Sequence, residues 1–157
     1  GAKALAEVKG YAAVQSDDLQ WDPDAAAMAR AMKAALDDAG LSPEDVDYVN
    51  PHGWGTAKGA AAAAQAITEV FGGHAQKLDI SSTKSLTGDL IGAAGTVEAA
   101  LCAHALSTGD LPVSAGITTP GFALPFVTAP KKRELRAALS MNFGIGGTHT
   151  AIVLGRA

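Results

Sequence analysis

Residues 83–95 have the sequence TKSLTGDLIGAAG. This stretch follows a short apolar run, Leu78–Ser81, that predicts a strand, and it leads into an apolar helix predicted over Gly92–Leu106. We predict a loop over Thr83–Gly88, because glycine at the end of a strand lets the backbone turn sharply and approach a ligand closely. The helix is apolar on most of its faces, which is typical of a helix buried between layers.

Outward from this stretch, strand and helix patterns alternate along the chain. The order is strand, helix, strand, helix, strand, helix, strand, strand, which predicts an α/β architecture with helices packed on a mixed sheet. Residues Ser16–Asp24 predict a loop, and Thr118–Pro130 a proline-punctuated extended segment. The other predicted elements are strands at Ala4–Val14, Val46–Val49, Leu139–Phe143 and Ala151–Leu154, and helices at Ala25–Ala39 and Gly59–Phe71.

Composition places the chain among globular proteins and excludes several functions. The chain has 157 residues, 48% hydrophobic and 18% charged, with a net charge of −4, which fits one domain over residues 1–157. An acidic balance argues against nucleic acid as a partner. We expect no membrane span and no secretory signal, and hence a cytoplasmic protein. The single cysteine, Cys102, excludes an intrachain disulfide and a cysteine-based zinc cluster, and we interpret it as a core thiol.

Three glycine-rich segments follow three predicted strand ends. They are residues 52–56 (HGWGT), 84–89 (KSLTGD) and 142–148 (NFGIGGT). In open α/β sheets the ligand crevice lies outside the carboxyl ends of the strands. We therefore expect His52, Lys84 and Asp89 to converge, although each segment taken alone is weak evidence. Residues 144–147 lack the Lys-Ser/Thr of a phosphate-binding loop, so a nucleotide site is disfavoured.

Together and in this order, the three segments resemble the β-ketoacyl synthase (ketosynthase) family of condensing enzymes. That family has a His-Gly-Thr-(Ser/Gly)-Thr loop, a Thr-Lys-Ser-x-Thr-Gly-His-x-x-Gly-Ala-Ala-Gly segment and a Phe-Gly-Phe-Gly-Gly-Thr-Asn turn. The resemblance covers essentially all residues of the chain. It implies a thiolase-like fold, of which this sequence matches the C-terminal half, and it places the nucleophilic cysteine in the N-terminal half.

The resemblance also implies roles for individual residues. His52 takes the place of the first catalytic histidine and Lys84 that of the supporting lysine, whereas Asp89 stands where the second catalytic histidine is expected. An ionised carboxylate only accepts hydrogen bonds, so Asp89 would not stabilise an enolate as a neutral imidazole does. The residues expected to form the substrate pocket and the oxyanion loop are Trp54, Thr56, Thr87, Phe143, Gly144, Ile145 and Gly146.

Three further departures from the family pattern concern the shape of the site. Trp54 replaces a small threonine and would occupy space that is otherwise open to substrate. Ala63 replaces an acidic residue, and Ile145 replaces a phenylalanine that gates the site. Asp89 has a structural alternative, because a carboxylate just before a helix binds exposed backbone amides. His52 has one too, as a strand-end histidine bonded to the backbone.

Several functional hypotheses therefore stay open. The chain is expected to work with an N-terminal ketosynthase half or a ketosynthase partner subunit, and with an acyl carrier protein, without a cofactor or a metal. One form is a degenerate subunit that resembles a chain-length factor, and another is one half of a split condensing enzyme. The alternative of a different class is a non-catalytic structural or carrier-protein-binding module.

Overall fold

The structure is a computed structural model, and it describes residues 1–16, 23–117 and 121–157. Parts of the predicted loop Ser16–Asp24 and of the segment Thr118–Pro130 lie outside the described residues. The strands are β1 (Glu7–Gln15), β2 (Tyr48–Asn50), β3 (Asp79–Ile80), β4 (Asp110–Leu111), β5 (Lys131–Lys132), β6 (Ala137–Gly144) and β7 (Thr148–Gly155). The helices are α1 (Ala25–Ala39), α2 (Ala57–Phe71), α3 (Lys84–Thr87) and α4 (Ala94–Thr108).

Five of these strands form one mixed sheet in the order β1-β7-β6-β2-β3. β2 runs parallel to both β3 and β6, whereas β7 runs antiparallel to β1 and β6. β4 and β5 form a separate antiparallel pair. The mixed sheet predicted from the alternating pattern is therefore confirmed.

Helices cover both faces of this sheet. α1 packs on β1 and β7 and against α2, while α4 packs on β6 and β7. Two apolar clusters result. The larger contains Met32, Ile67 and Leu139, and the smaller contains Cys102 and Leu106. In the described part of the chain, none of the helices has the length and apolar character needed to cross a bilayer.

The ends of α1 follow from its sequence. Asp24 Oδ1 accepts hydrogen bonds from the backbone amides of Ala26 and Ala27, at 2.9 and 3.1 Å, which satisfies donors that the first turn of a helix leaves unpaired. At the other end, Gly40 has a φ of +64°, a conformation that glycine adopts without steric cost. The predicted bounds of this helix are confirmed.

Elements shorter than one or two turns differ from the predictions. Thr83–Gly88 is not all loop, because residues Lys84–Thr87 form α3. The backbone amides of Leu86 and Thr87 donate to the Thr83 carbonyl. The helix predicted from Gly92 begins at Ala94, after a 3₁₀ turn over Ile91–Ala93. The β4–β5 pair was not predicted, since two-residue strands carry no readable period.

Candidate functional site

The candidate site lies at the edge of the sheet where β2, β3 and β6 end. His52 follows β2 by two residues, Lys84 begins α3 shortly after β3, and Asn142 lies near the end of β6. Because β2 is parallel to β3 and β6, the carboxyl ends of these strands meet at one edge, where open α/β sheets bind ligands. The topology therefore brings together side chains that are up to 90 residues apart.

Four side chains at this edge form a closed ring of polar contacts. Lys84 Nζ donates to Glu98 Oε1, and Asn142 Nδ2 donates to Glu98 Oε2 at 2.9 Å. His52 Nδ1 lies 3.1 Å from Asn142 Oδ1 and 3.4 Å from Lys84 Nζ. His52, Lys84 and Glu98 are buried. Buried charges are stable in such a place only when they are paired and hydrogen-bonded, as they are here.

The contacts of His52 decide where its proton lies. The Phe143 backbone amide and the Lys84 ammonium, both 3.4 Å from Nδ1, can only donate. Two donors, one of them positively charged, outweigh the neutral acceptor Asn142 Oδ1 and favour the tautomer that carries its proton on Nε2. Burial, and then the nearby Lys84 ammonium, lower the pKa of His52 below its usual value, so the ring is neutral at pH 7.

His52 Nε2 is buried and has no hydrogen-bond partner among the described residues. A neutral imidazole with the proton on this nitrogen can donate to one oxygen atom of a ligand. The ring contacts that hold it are edge-on. Its centroid lies 5.9 Å from that of Trp54 and 6.1 Å from that of Phe143. The arrangement is suited to stabilise negative charge that develops on a ligand oxygen.

Glu98 and Asn142 belong to this site although sequence reasoning did not select them. Glu98 is the one acidic residue in α4, whose sequence is AGTVEAALCAHALST, and a lone carboxylate in so apolar a helix was the signal that could have found it. Burial raises the pKa of Glu98, and the hydrogen bond from Lys84 opposes that rise. Asn142 is the first residue of the glycine-rich segment 142–148, but the sequence pattern assigned no role to it.

Asp89 lies beside this ring, with its side chain bonded to backbone. Its Oδ1 accepts a hydrogen bond from the Ile91 amide at 3.0 Å, where it stabilises the 3₁₀ turn before α4. Ile91 has a φ of +51°, which is a strained conformation for a β-branched residue. This contact supports the structural alternative for Asp89, and it leaves the second carboxylate oxygen available to face a ligand.

Trp54 contacts His52 and also lines a large cavity. The ring of Trp54 packs edge-on against Phe143, with centroids 4.9 Å apart. Trp54 also forms part of the wall of a cavity of about 640 Å³ between α2 and residues 114–117 and 121–126. We call this the α2 cavity. Asp89 and Lys84 also line it, whereas His52 and Phe143 do not.

The remaining predicted site residues have mainly local contacts. Thr56 Oγ1 accepts a hydrogen bond from the Gly59 amide at 3.1 Å and caps α2. Thr87 Oγ1 donates to carbonyls of its own turn. Gly144 accepts a hydrogen bond from the Gly147 amide at 3.1 Å, which closes the β6–β7 turn. Within that turn Gly146 has a φ of +95°.

Cys102 is not part of the site. It is fully buried in α4, and burial raises the pKa of its thiol, so that the reactive thiolate is scarcely populated. The described residues also contain no group of histidine, cysteine or carboxylate side chains that could hold a metal ion.

Comparison with known sequences identifies the family. The model of the family "Beta-ketoacyl synthase, C-terminal domain" matches residues 5–118. The 3-oxoacyl-[acyl-carrier-protein] synthase 2 of Coxiella burnetii is 40% identical over 138 residues, which cover 86% of this chain and 33% of that protein. The chain therefore belongs to the β-ketoacyl synthase family, of which it represents the C-terminal domain.

Solved structures confirm the fold. One is a chain of the complex described as "AntDE:AntF (apo): type II PKS acyl-carrier protein in complex with its ketosynthase bound to the hexaketide", with a TM-score of 0.94 and 30% identity. Another is the ishigamide ketosynthase/chain length factor, with a TM-score of 0.93 and 28% identity. Each match covers 99% of this chain. The thiolase-like, C-terminal-half fold predicted from the sequence is thus confirmed. The chain spans 33–40% of the length of these three proteins.

Proposed function

We propose that the chain is the C-terminal part of a ketosynthase-like protein that acts with a cysteine-bearing N-terminal half or partner subunit. The reaction is the decarboxylative Claisen condensation of acyl and malonyl thioesters held by an acyl carrier protein. The observation that carries this proposal is the buried, unpartnered Nε2 of His52, held by the ring of Lys84, Glu98 and Asn142.

In this proposal His52 serves the decarboxylation step. When the bond between the malonyl carboxylate and its α-carbon breaks, carbon dioxide leaves and the electron pair forms a thioester enolate. The enolate oxygen accepts a hydrogen bond from His52 Nε2–H, and the enolate carbon attacks the acyl thioester on the partner's cysteine, whose thiolate leaves. Lys84 and Glu98 position the ring without contacting the substrate.

Asp89 makes this site incomplete. A second imidazole donor is expected at its position, and loss of such a donor typically costs ~10²–10³ in rate. Its carboxylate would also repel a malonyl carboxylate. We therefore propose that condensation by this chain is impaired. The same observation, together with the bulk of Trp54 beside His52, supports a second candidate, a non-catalytic subunit similar to a chain-length factor.

The surface around the site supports the need for a partner. In α4, the residues Ala94, Glu98, Cys102, Ala105 and Leu106 are buried. The opposite side, which includes Ala100, is exposed, so the burial all round that the sequence predicted is not reached within this chain. That side also carries Thr96, His104 and Ser107 and is mainly polar. The exposed apolar side chains lie elsewhere, and exposed apolar patches mark interfaces. Four large apolar side chains near the site are exposed: Leu86, Leu90, Ile91 and Ile145.

We expect the isolated chain to self-associate and the exposed side chains of Leu86, Leu90, Ile91 and Ile145 to bind the cysteine-bearing half. Light scattering measures the first, and co-purification with the N-terminal half of a ketosynthase measures the second. Leu86→Glu is expected to abolish co-purification, because it places a charge in the covered interface. The matched control is Ala61→Glu on the exposed side of α2. A monodisperse, cooperatively unfolding monomer, or equal effects of the two variants, would contradict the proposal.

A further inference from the structure

His149 is a buried histidine that the candidate site does not use. The residue is 1% exposed, and neither ring nitrogen has a hydrogen-bond partner among the described residues. A neutral imidazole carries one donor and one acceptor, and burying both without partners costs free energy. A charged imidazole in the same place would cost more, because burial penalises an ion that is neither paired nor hydrogen-bonded. The native position of His149 therefore favours the neutral ring strongly.

The neighbours of His149 offer no net compensation for a positive charge. Asp24, at the start of α1, attracts such a charge, whereas Arg30 and a protonated His52 repel it. Asp24 Oδ1 is also engaged with backbone amides of α1. Strands β6 and β7 and residues 10–15 of β1 contain no carboxylate, lysine, arginine or other histidine. Burial therefore dominates, and it lowers the pKa of His149 below its usual value.

His149 lies at the end of the β6–β7 hairpin, next to the glycine-rich turn (residues 144–147). In the antiparallel register it is opposite Phe143 of β6. Its ring packs against that of Phe143, with centroids 4.8 Å apart. The Phe143 amide lies 3.4 Å from His52 Nδ1 and donates to it. The position of His149 is thus connected to the ring of His52 through one residue.

The glycine-rich turn is fastened to the end of β1 near the surface. The Ser16 amide donates to the Gly147 carbonyl at 2.8 Å. The side-chain amide of Gln15 donates to the Gly146 carbonyl, and this contact is exposed to solvent. Segments held by exposed hydrogen bonds open locally at low cost, whereas α1 covers the interior of β7. Opening of the turn is therefore the least costly way for the ring of His149 to reach water.

We propose that His149 is a pH-sensitive switch for the glycine-rich turn. In the neutral form its ring stays buried against Phe143, and the turn is closed. When the ring takes up a proton from solvent, the buried position becomes unfavourable, the turn opens and Phe143 moves away from His52. The closed state is lost as the pH falls below the pKa of a free histidine, about 6.5, because the open state binds the proton more tightly. This inference does not depend on whether the site performs condensation.

Hydrogen exchange, measured by mass spectrometry on the protein in complex with its co-purifying partner, tests the switch. The protection of amides in residues 143–150 is compared at about pH 7.5 and about pH 5, with labelling times scaled for the slower chemical exchange in acid. We expect the protection factor to fall several-fold at the lower pH, and by at most about 30-fold, the limit for an open-state pKa near 6.5. Residues 99–106 of α4 are the internal reference and are expected to keep their protection. Equal protection of residues 143–150 at both pH values, or an equal loss in the reference, would overturn the proposal.

Histidine variants identify the ring that is responsible. His149→Asn removes the titrating group and is expected to abolish the pH response of residues 143–150. His149→Phe fills the position with an apolar ring, is expected to have the same effect, and replaces the asparagine variant if that one does not fold. His52→Gln, and His104→Gln on the exposed side of α4, are expected to keep the response. A response that survives without the His149 imidazole, or that disappears in His52→Gln, would refute the assignment to His149.

Discussion

Replacement of Asp89 with histidine is expected to raise the rate of carbon dioxide release from malonyl-carrier protein by up to about 10²–10³-fold. The measurement uses the assembly of this chain with a cysteine-bearing half. The reason is local: an imidazole returns one hydrogen-bond donor for the enolate oxygen and removes a carboxylate that repels the malonyl group. His52 and the Lys84–Glu98 pair remain in place around the changed position.

The structure supplies a control for this experiment. Asp89 Oδ1 binds the Ile91 amide, and Asp89→Asn keeps an oxygen acceptor for that contact while removing the charge. If repulsion of the malonyl carboxylate were the whole defect, Asp89→Asn would match Asp89→His. We expect a smaller gain for the asparagine variant. Equal or slower release by Asp89→His, with the fold shown intact, would mean that Asp89 is a structural cap or an active participant.

Replacement of Lys84 with methionine is expected to lower the free energy of unfolding by about 3–5 kcal/mol, because it leaves the buried Glu98 carboxylate without its cation. Urea denaturation of the assembled protein measures this loss. The double variant Lys84→Met/Glu98→Leu removes both charges and is expected to recover most of the stability. A loss below about 1 kcal/mol in the single variant would show that the pair is not the main support of this site.

The pH dependence of the Lys84→Met variant gives an independent check. Burial raises the pKa of Glu98, and loss of the ammonium that opposes this rise should raise it further. A carboxyl group whose pKa is raised on folding favours the native state below its unfolded pKa, and this contribution is lost as the pH rises through the folded pKa. The destabilisation by Lys84→Met should therefore be smallest at acidic pH and largest at neutral pH. The opposite trend would exclude an ionised Glu98 as its cause.

Sequence patterns predicted the parts of the fold that have local causes. The bounds of α1 follow from a capping carboxylate at Asp24 and a left-handed glycine at Gly40. Both signals can be recognised from the amino-acid sequence alone. α3 was missed because a four-residue helix has too few turns to show a period. The 3₁₀ turn before α4 depends on a side-chain contact of Asp89 that sequence alone leaves ambiguous between a cap and a catalytic group.

The candidate site was less predictable because its contacts are long-range. Lys84 was selected from a motif, but the carboxylate that pairs with it lies 14 residues further along the chain, at Glu98. Asn142 meets His52 across 90 residues, a contact that exists only because β2 and β6 are neighbours in the sheet. The α2 cavity depends on how α2 faces residues 121–126, which no local pattern specifies.

The most direct test of the account is to find which chain carries the acyl group. The purified assembly is incubated with a carrier protein that bears a labelled acyl group, and the intact mass of each chain is then measured. We predict that a cysteine of the partner gains one acyl group, while this chain keeps its mass, since Cys102 is buried and its thiol is held protonated. Stoichiometric acylation of Cys102, or condensation by this chain without any cysteine-bearing partner, would contradict the account.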